Sequence, residues 1–230
     1  MAHAPRPAPA VPVSDLAELR ALIPGLLPAI GPETLVADND LFGLAAFRGR
    51  VIEISAPPAV GCLTVALHLL LEAQMAGENT AWIAGAPGSF FAPDAAACGI
   101  DLAALPVVLA PDPLAAGRAA SHLLRAGAFG AVVLDLTGPT AVTLPQPLLS
   151  RLVGLAQKAG TALVALTDKA PGDESLGSII GLHIFVRRVA AGVASDGQPL
   201  FQLSLEAAKD KRRGPGWLEQ RTLLAPAELE

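Results

Sequence analysis

The chain has 230 residues, 52% hydrophobic and 4% aromatic, with a formal net charge of −5. That length suits one large α/β domain or one domain with a small appendage, and the acidic balance argues against a general nucleic-acid coat. Tyr is absent and there are only two cysteines, Cys62 and Cys98, which argues against aromatic base-stacking platforms, a disulfide framework or a zinc site.

Residues 1–13 are rich in Pro and Ala and are expected to be disordered. Ser14 then reads as an N-cap, with Asp15 and Glu18 where a helix N-terminus favours negative charge. Leu16, Leu19, Leu22 and Ile23 share one face of that helix, which stops near Pro24-Gly25. An irregular connector runs from Leu26 to Phe47, broken at Pro28 and Gly31-Pro32. The uncharged stretch Ile54 to Leu71 is interrupted by Pro57, Pro58, Gly61 and His68, whereas a membrane span needs about 20 apolar residues in a row. The N-terminus has no cationic region leading into an apolar run, so a secretory signal is not expected. A cytoplasmic protein without membrane contact is the simplest reading.

From residue 51 the pattern alternates strand and helix. Strands are expected at Val51–Ser55, Thr80–Ala84, Pro106–Ala110, Ala131–Leu136 and Thr161–Thr167. Helices are expected at Leu63–Ala76, Ala92–Cys98, Pro113–Ala126 and Leu148–Ala159. Continuous apolar strands separated by helices imply a mostly parallel sheet covered on both faces. After about residue 180, His183–Val189 and Leu200–Leu205 alternate more and flank the hairpin signal Ser195-Asp196-Gly197-Gln198. With Trp217–Leu223 they are expected to form an antiparallel C-terminal edge. The organisation is then a tail at 1–13, an N-terminal helix and connector at 14–46, an α/β domain at 47–223 and a C-terminal tail at 224–230.

The most informative segment follows the first strand. A phosphate-binding loop reads G-x-x-x-x-G-K-[ST]. Here Ala56 stands at the first Gly, Gly61 at the second, Cys62 at the Lys and Leu63 at the Mg²⁺-holding hydroxyl, with Thr64 one position late. Backbone N–H groups and a helix N-terminus cradle the phosphates in such loops, while the Lys and hydroxyl supply charge and a metal ligand. Pro57 and Pro58 remove two donors from the cradle. The layout is that of a nucleotide-driven motor, and the residues are those of a binding module without hydrolysis, cofactor or metal. Asp135 ends the apolar run 131–134, where a second Mg²⁺-holding acid would sit; the alternative is a strand-end Asp capping a turn or pairing with a base. Cys62 at a helix N-terminus raises the option of a low-pKa nucleophile, against a small residue packed under the loop. His3, His122 and His183 are isolated in sequence, and no G-x-S-x-G elbow occurs.

Phe47-Arg48-Gly49-Arg50-Val51-Ile52-Glu53-Ile54, the altered loop, Gln74 to Ile83, Gly99 to Leu102 and Gly127 to Asp135 succeed one another in an order that resembles the RecA recombinase core over roughly residues 47–210. The resemblance implies a RecA-like fold. It also sharpens the departures. The acidic residue that follows the second strand in RecA-type ATPases has no counterpart in Ala84-Gly85-Ala86. The segments matching the two DNA-contacting loops, Thr137–Gln146 and Lys169–Ser178, are short and poor in basic residues.

A shortened RecA-like chain of this kind is similar to the ImuA/SulA-related group of bacterial DNA-damage proteins, as is the tail Leu205 to Pro215 with its Lys211-Arg212-Arg213-Gly214 ending. That resemblance implies an accessory role in error-prone translesion synthesis, with an ImuB-like polymerase adaptor, RecA and an error-prone replicative polymerase as partners. Two other readings stay open: a SulA-type inhibitor of the division-ring GTPase, and a RecA paralogue with residual nucleotide binding. Lys209, Lys211, Arg212 and Arg213, with Arg187 and Arg188 on an expected edge strand, are candidate DNA or partner contacts or simply a solvated exterior. The resemblance also makes the helix bearing Leu16, Leu19, Leu22 and Ile23 a candidate for docking on a second copy or on RecA.

Overall fold

The computed structural model describes residues 42–57, 61–85, 89–138, 142–193 and 199–224. The N-terminal tail, the amphipathic helix at 14–23, the hairpin turn at 195–198 and the final residues 225–230 lie outside that set. A short helix α1 (Leu44–Phe47) leads into β1 (Val51–Ala56), α2 (Cys62–Met75), β2 (Asn79–Ala84), α3 (Ala92–Ala97) and β3 (Val107–Leu109). Then follow α4 (Pro113–Ala126), β4 (Phe129–Asp135), α5 (Gln146–Ala159), β5 (Ala162–Asp168), β6 (Leu182–Val193), β7 (Pro199–Asp210) and β8 (Leu218–Leu224). Phe42 and Leu44, placed by the sequence in an irregular connector, are buried, and the connector's end coils into α1.

The eight strands form one sheet in the order β3-β2-β4-β5-β1-β6-β7-β8. β1, β4 and β5 are central and buried almost throughout, as continuous apolar strands in a parallel sheet should be. α2 and α3 cover one face with Val65, Leu69, Leu70 and Ala95. α4 and α5 cover the other with Ala116, Ala120, Leu124, Leu149 and Leu152. α4 keeps its expected bounds because its ends are encoded locally. The Asp112 carboxylate accepts the Ala115 N–H at 2.7 Å, and Gly127 closes the helix at φ 66°.

One expectation needs correction. β6 is antiparallel to β7 but parallel to β1, pairing Ile52 with Leu182 through Ser55 with Phe185. It is the last strand of the parallel series, and the antiparallel edge begins at β7. Local alternation reports which faces are covered, not strand direction.

A buried ion pair ties the two parts of the sheet. Arg50 Nη2 donates to Asp210 Oδ1 at 2.6 Å and to the Gly181 carbonyl at 2.8 Å. Asp210 also accepts the Arg212 N–H and Trp217 Nε1–H. Burial pushes the Asp210 carboxyl up, but these hydrogen bonds and the Arg50 charge together hold it below the usual carboxylate range. Removing one member of such a pair strands the other's charge, so Asp210→Asn should lower unfolding free energy by about 3 kcal/mol in urea titrations. A depressed folded value means the contribution is present above about pH 4 and lost as pH falls through the folded value. The two proteins' stabilities should therefore converge in acid.

His68 of α2 faces a small cavity lined by Phe42, Val65, Leu203, Leu205 and Arg221, and its buried Nε2 has no partner among the described residues. Burial, then the Arg221 charge, pushes it down to about 4 from 6.5. The unfolded chain then takes up this proton first, so stability falls as pH drops from 6.5 towards 4. Melting temperature against pH should fall less steeply across that window in His68→Leu.

Candidate functional site

The C-terminal ends of β1, β4 and β5 and the N-terminus of α2 meet where a phosphate loop would work. Gly61 caps α2 in the left-handed region at φ 99°, with no side-chain cap hydrogen bond. Leu203 of β7 closes on it: a Cβ on Gly61 would meet Leu203 Cδ2 at 2.9 Å. Ala56 is buried, and Leu63 is 42% exposed. Cys62 is buried with Sγ 3.9 Å from the Ile54 carbonyl. Burial, followed by the charges of Asp168 and Asp135, pushes its thiol up to about 12. Cys62 is thus a packed thiol, and the nucleophile option is set aside because the thiolate is the reactive form. Residues 58–60 of the loop, Pro58 included, lie outside the described set.

Asp135 is fully buried at the end of β4. Its Oδ1 accepts the Thr137 N–H at 3.0 Å and the Thr137 hydroxyl at 2.6 Å. Burial raises this carboxyl against the lowering effect of those bonds. These bonds close a turn after β4. Asp168, at the end of β5, accepts the Gly138 N–H at 2.8 Å. After β2, the Gly85 N–H donates to the Asp135 carbonyl at 2.8 Å, and a Cβ there would sit 2.6 Å from that oxygen. Glycine permits this close approach. Ala86 lies outside the described residues.

The structure also shows a polar cluster that motif reasoning missed. Glu53, in the middle of β1, has no solvent exposure. Its Oε1 accepts Lys169 Nζ at 2.6 Å and the Thr167 hydroxyl at 3.0 Å, and its Oε2 accepts the Leu176 N–H at 2.7 Å. Ser55 Oγ lies 2.7 Å from Thr167 Oγ1 and 2.8 Å from His183 Nε2. His183, isolated in sequence, is a member of this network. Burial lowers its pKa, Glu53 opposes that, and Lys169 and Lys209 add to it. The same Nε2 faces Ser55 and, at 4.0 Å, Glu53. Glu53 therefore does not orient the ring from its other nitrogen, as a nucleophile–base–acid relay requires. Ser55 is itself fully buried. The signal available in the sequence was an acid inside an apolar strand, Val51-Ile52-Glu53-Ile54, which must find a partner.

This network pins the segment matching the second DNA-contacting loop. Besides its bond to Glu53, Lys169 donates to the Glu174 carbonyl at 2.8 Å. Lys209 donates to the carbonyls of Gly177 and Ser178, and Lys211 to that of Ile179. Two of the candidate contact lysines are therefore engaged with the protein's own backbone. Arg187 and Arg188 lie on β6, which is an inner strand at its base but, among the described residues, an edge beyond Phe185, where β7 alone pairs with it. Arg187 pairs with Glu206 at 3.6 Å and Arg188 lies 4.6 Å over the Phe201 ring. Lys209 is registered against His183, four residues from Arg187 along β6, about 13 Å at strand spacing. Arg212 and Arg213 are exposed on the turn after β7. Leu16, Leu19, Leu22 and Ile23 lie outside the described residues. Among the described residues there is no cluster of His, Cys, Asp and Glu that could hold a metal ion.

No family model matches the chain. It is 28% identical over 198 residues to the RecA protein of Rubrobacter xylanophilus, covering 73% of this chain and 57% of that protein. It is 39% identical over 101 residues to the RecA of Corynebacterium jeikeium, 44% of this chain and 27% of that one. It is 43% identical over 89 residues to the RecA of Clostridium acetobutylicum, 38% of this chain and 25% of the relative. The chain is a distant RecA-like relative. The matches span from about a quarter to a little over half of those RecA proteins' lengths.

The α/β sheet with its antiparallel C-terminal edge is consistent with a RecA-like core. Within that core, Glu53 holds down the 169–181 segment. Glu53→Gln removes the charge that offsets Lys169, and should cost about 3 kcal/mol of stability. Amide exchange at Leu176 should accelerate in the same variant, as hydrogen-exchange mass spectrometry would show.

Proposed function

We propose that this protein is a non-catalytic, RecA-like accessory factor of the bacterial DNA-damage response. In this reading it supports error-prone translesion synthesis through contacts with an ImuB-like polymerase adaptor and with RecA, and an error-prone replicative polymerase joins the same assembly. It works in the cytoplasm and turns over no nucleotide. The observation that carries the reading is the end of α2. The residue at the lysine position is a buried neutral thiol, the next is a leucine, and Leu203 packs against the glycine that opens the helix. A triphosphate placed there would lack the cation and the metal ligand that phosphoryl transfer uses. The engaged lysines of the 169–181 cover support protein contact over DNA contact in the same way. Among the described residues no helix is long and apolar enough to cross a membrane.

The test has two arms. Purified protein incubated with ATP and Mg²⁺ should release no phosphate above a buffer blank. Affinity capture from DNA-damaged cells should recover the adaptor and RecA, and deletion of the gene should lower damage-induced mutation frequency. Mg²⁺-dependent turnover by the protein would overturn the first arm and favour the residual-nucleotide reading. Recovery of the division-ring GTPase in place of the adaptor would favour the SulA-type reading.

A further inference from the structure

β6 is paired on both sides for only part of its length. β1 meets it from Leu182 to Phe185, whereas β7 follows it from Leu182 to Val193. From Val186 to Val193, therefore, β6 has a ladder on one side only among the described residues. Alternate residues there aim their N–H and C=O groups at the open side. Residues 187–193 are all exposed, with Val189 at 53% and Val193 at 68%. An edge of this length is a template for another strand unless it is blocked by proline, charge or distortion. No proline interrupts it, and its bulge lies only near the tip, between Ala190 and Gly192.

The charges at its base select the occupant. Arg187 has a side chain 59% exposed and, among the described residues, one loose pairing, 3.6 Å from Glu206. Exposed pairs of that kind contribute little, so the guanidinium can turn to a new carboxylate at small cost. Arg188 follows on the opposite face of the strand, above Phe201. Two copies of this chain joined in parallel register would set these arginines against each other. Joined antiparallel, each copy would bring its bulge into the shared ladder. An incoming strand of another protein with acidic side chains meets neither obstacle.

We propose that the open edge Val186–Val193 of β6 is a docking site for an extended segment of a partner protein, which adds as a strand and sets carboxylates near Arg187 and Arg188 and apolar side chains near Val189. Backbone ladders supply affinity in this mode, and the side chains supply selectivity. The proposal is independent of the role in translesion synthesis.

A fluorescein-labelled octapeptide, Thr-Val-Val-Glu-Glu-Val-Val-Thr, serves as probe, since adjacent carboxylates are needed to reach Arg187 and Arg188 on opposite faces of the strand, and the same peptide with Lys in place of both Glu is the control. Anisotropy should show saturable binding of the acidic probe at low salt, weakened by about tenfold or more in the Arg187→Glu, Arg188→Glu double variant. Hydrogen-exchange mass spectrometry should show slowed exchange confined to 186–193 when the probe binds. Should the double variant fail to fold, Val189→Lys tests the same edge with one substitution, and loss of binding there counts equally in support. Equal binding of both peptides, binding without protection at 186–193, or no binding would overturn the proposal. So would protection of 186–193 that rises with protein concentration in the absence of probe, since the occupant would then be a second copy.

Discussion

Glu53 sits on the first strand of the sheet with no access to water, and a carboxylate so placed must be matched on every side. Lys169 supplies the opposite charge, Thr167 a hydroxyl and Leu176 a backbone N–H. Those partners belong to β5 and to the chain that leaves it, so satisfying one carboxylate also fixes the path from 169 to 181. Lys209 and Lys211 then engage the carbonyls that this path presents. The Arg50–Asp210 pair, which also reaches the Gly181 carbonyl, closes the same region from the start of β1. The region beyond β5 is held by charge complementarity where the rest of the sheet is held by packed helices.

On the opposite side of the sheet apolar packing dominates. The N-terminus of α2, which in a phosphate loop faces charged oxygens, here adjoins Leu203 and begins with a buried thiol. The acids at the strand ends are turned to local work, Asp135 on Thr137 and Asp168 on Gly138. In this RecA-like sheet the described polar groups at the strand ends bond within the fold. That contrast is the ground on which a role through protein contact is proposed.

β6 joins the two regimes. It is held between neighbours at its base and, among the described residues, is paired on one side only beyond Phe185. The change from parallel to antiparallel pairing at β7 removes the need for a crossover helix, and among the described residues no helix follows β6. The exposed run from 187 to 193 is a consequence of that topology.

Much of the architecture was legible in the chain itself. The bounds of α4 follow from Asp112, Pro113 and Gly127, a cap, a permitted N1 proline and a left-handed stop that act within a few residues. The apolar runs of β4 and β5 announce strands covered on both faces, and Cys62 at the lysine position marks an altered loop. The direction of β6 was not legible, because alternation along one strand carries no information about the neighbour it will join. Nor was the assignment of His183, Lys209 and Lys211 to internal partners. Glu53 lies 116 residues from Lys169 in sequence. A buried acid in an apolar strand declares that a partner must exist, but only the folded chain decides which distant residue arrives there, since the choice depends on which strand ends the sheet brings together.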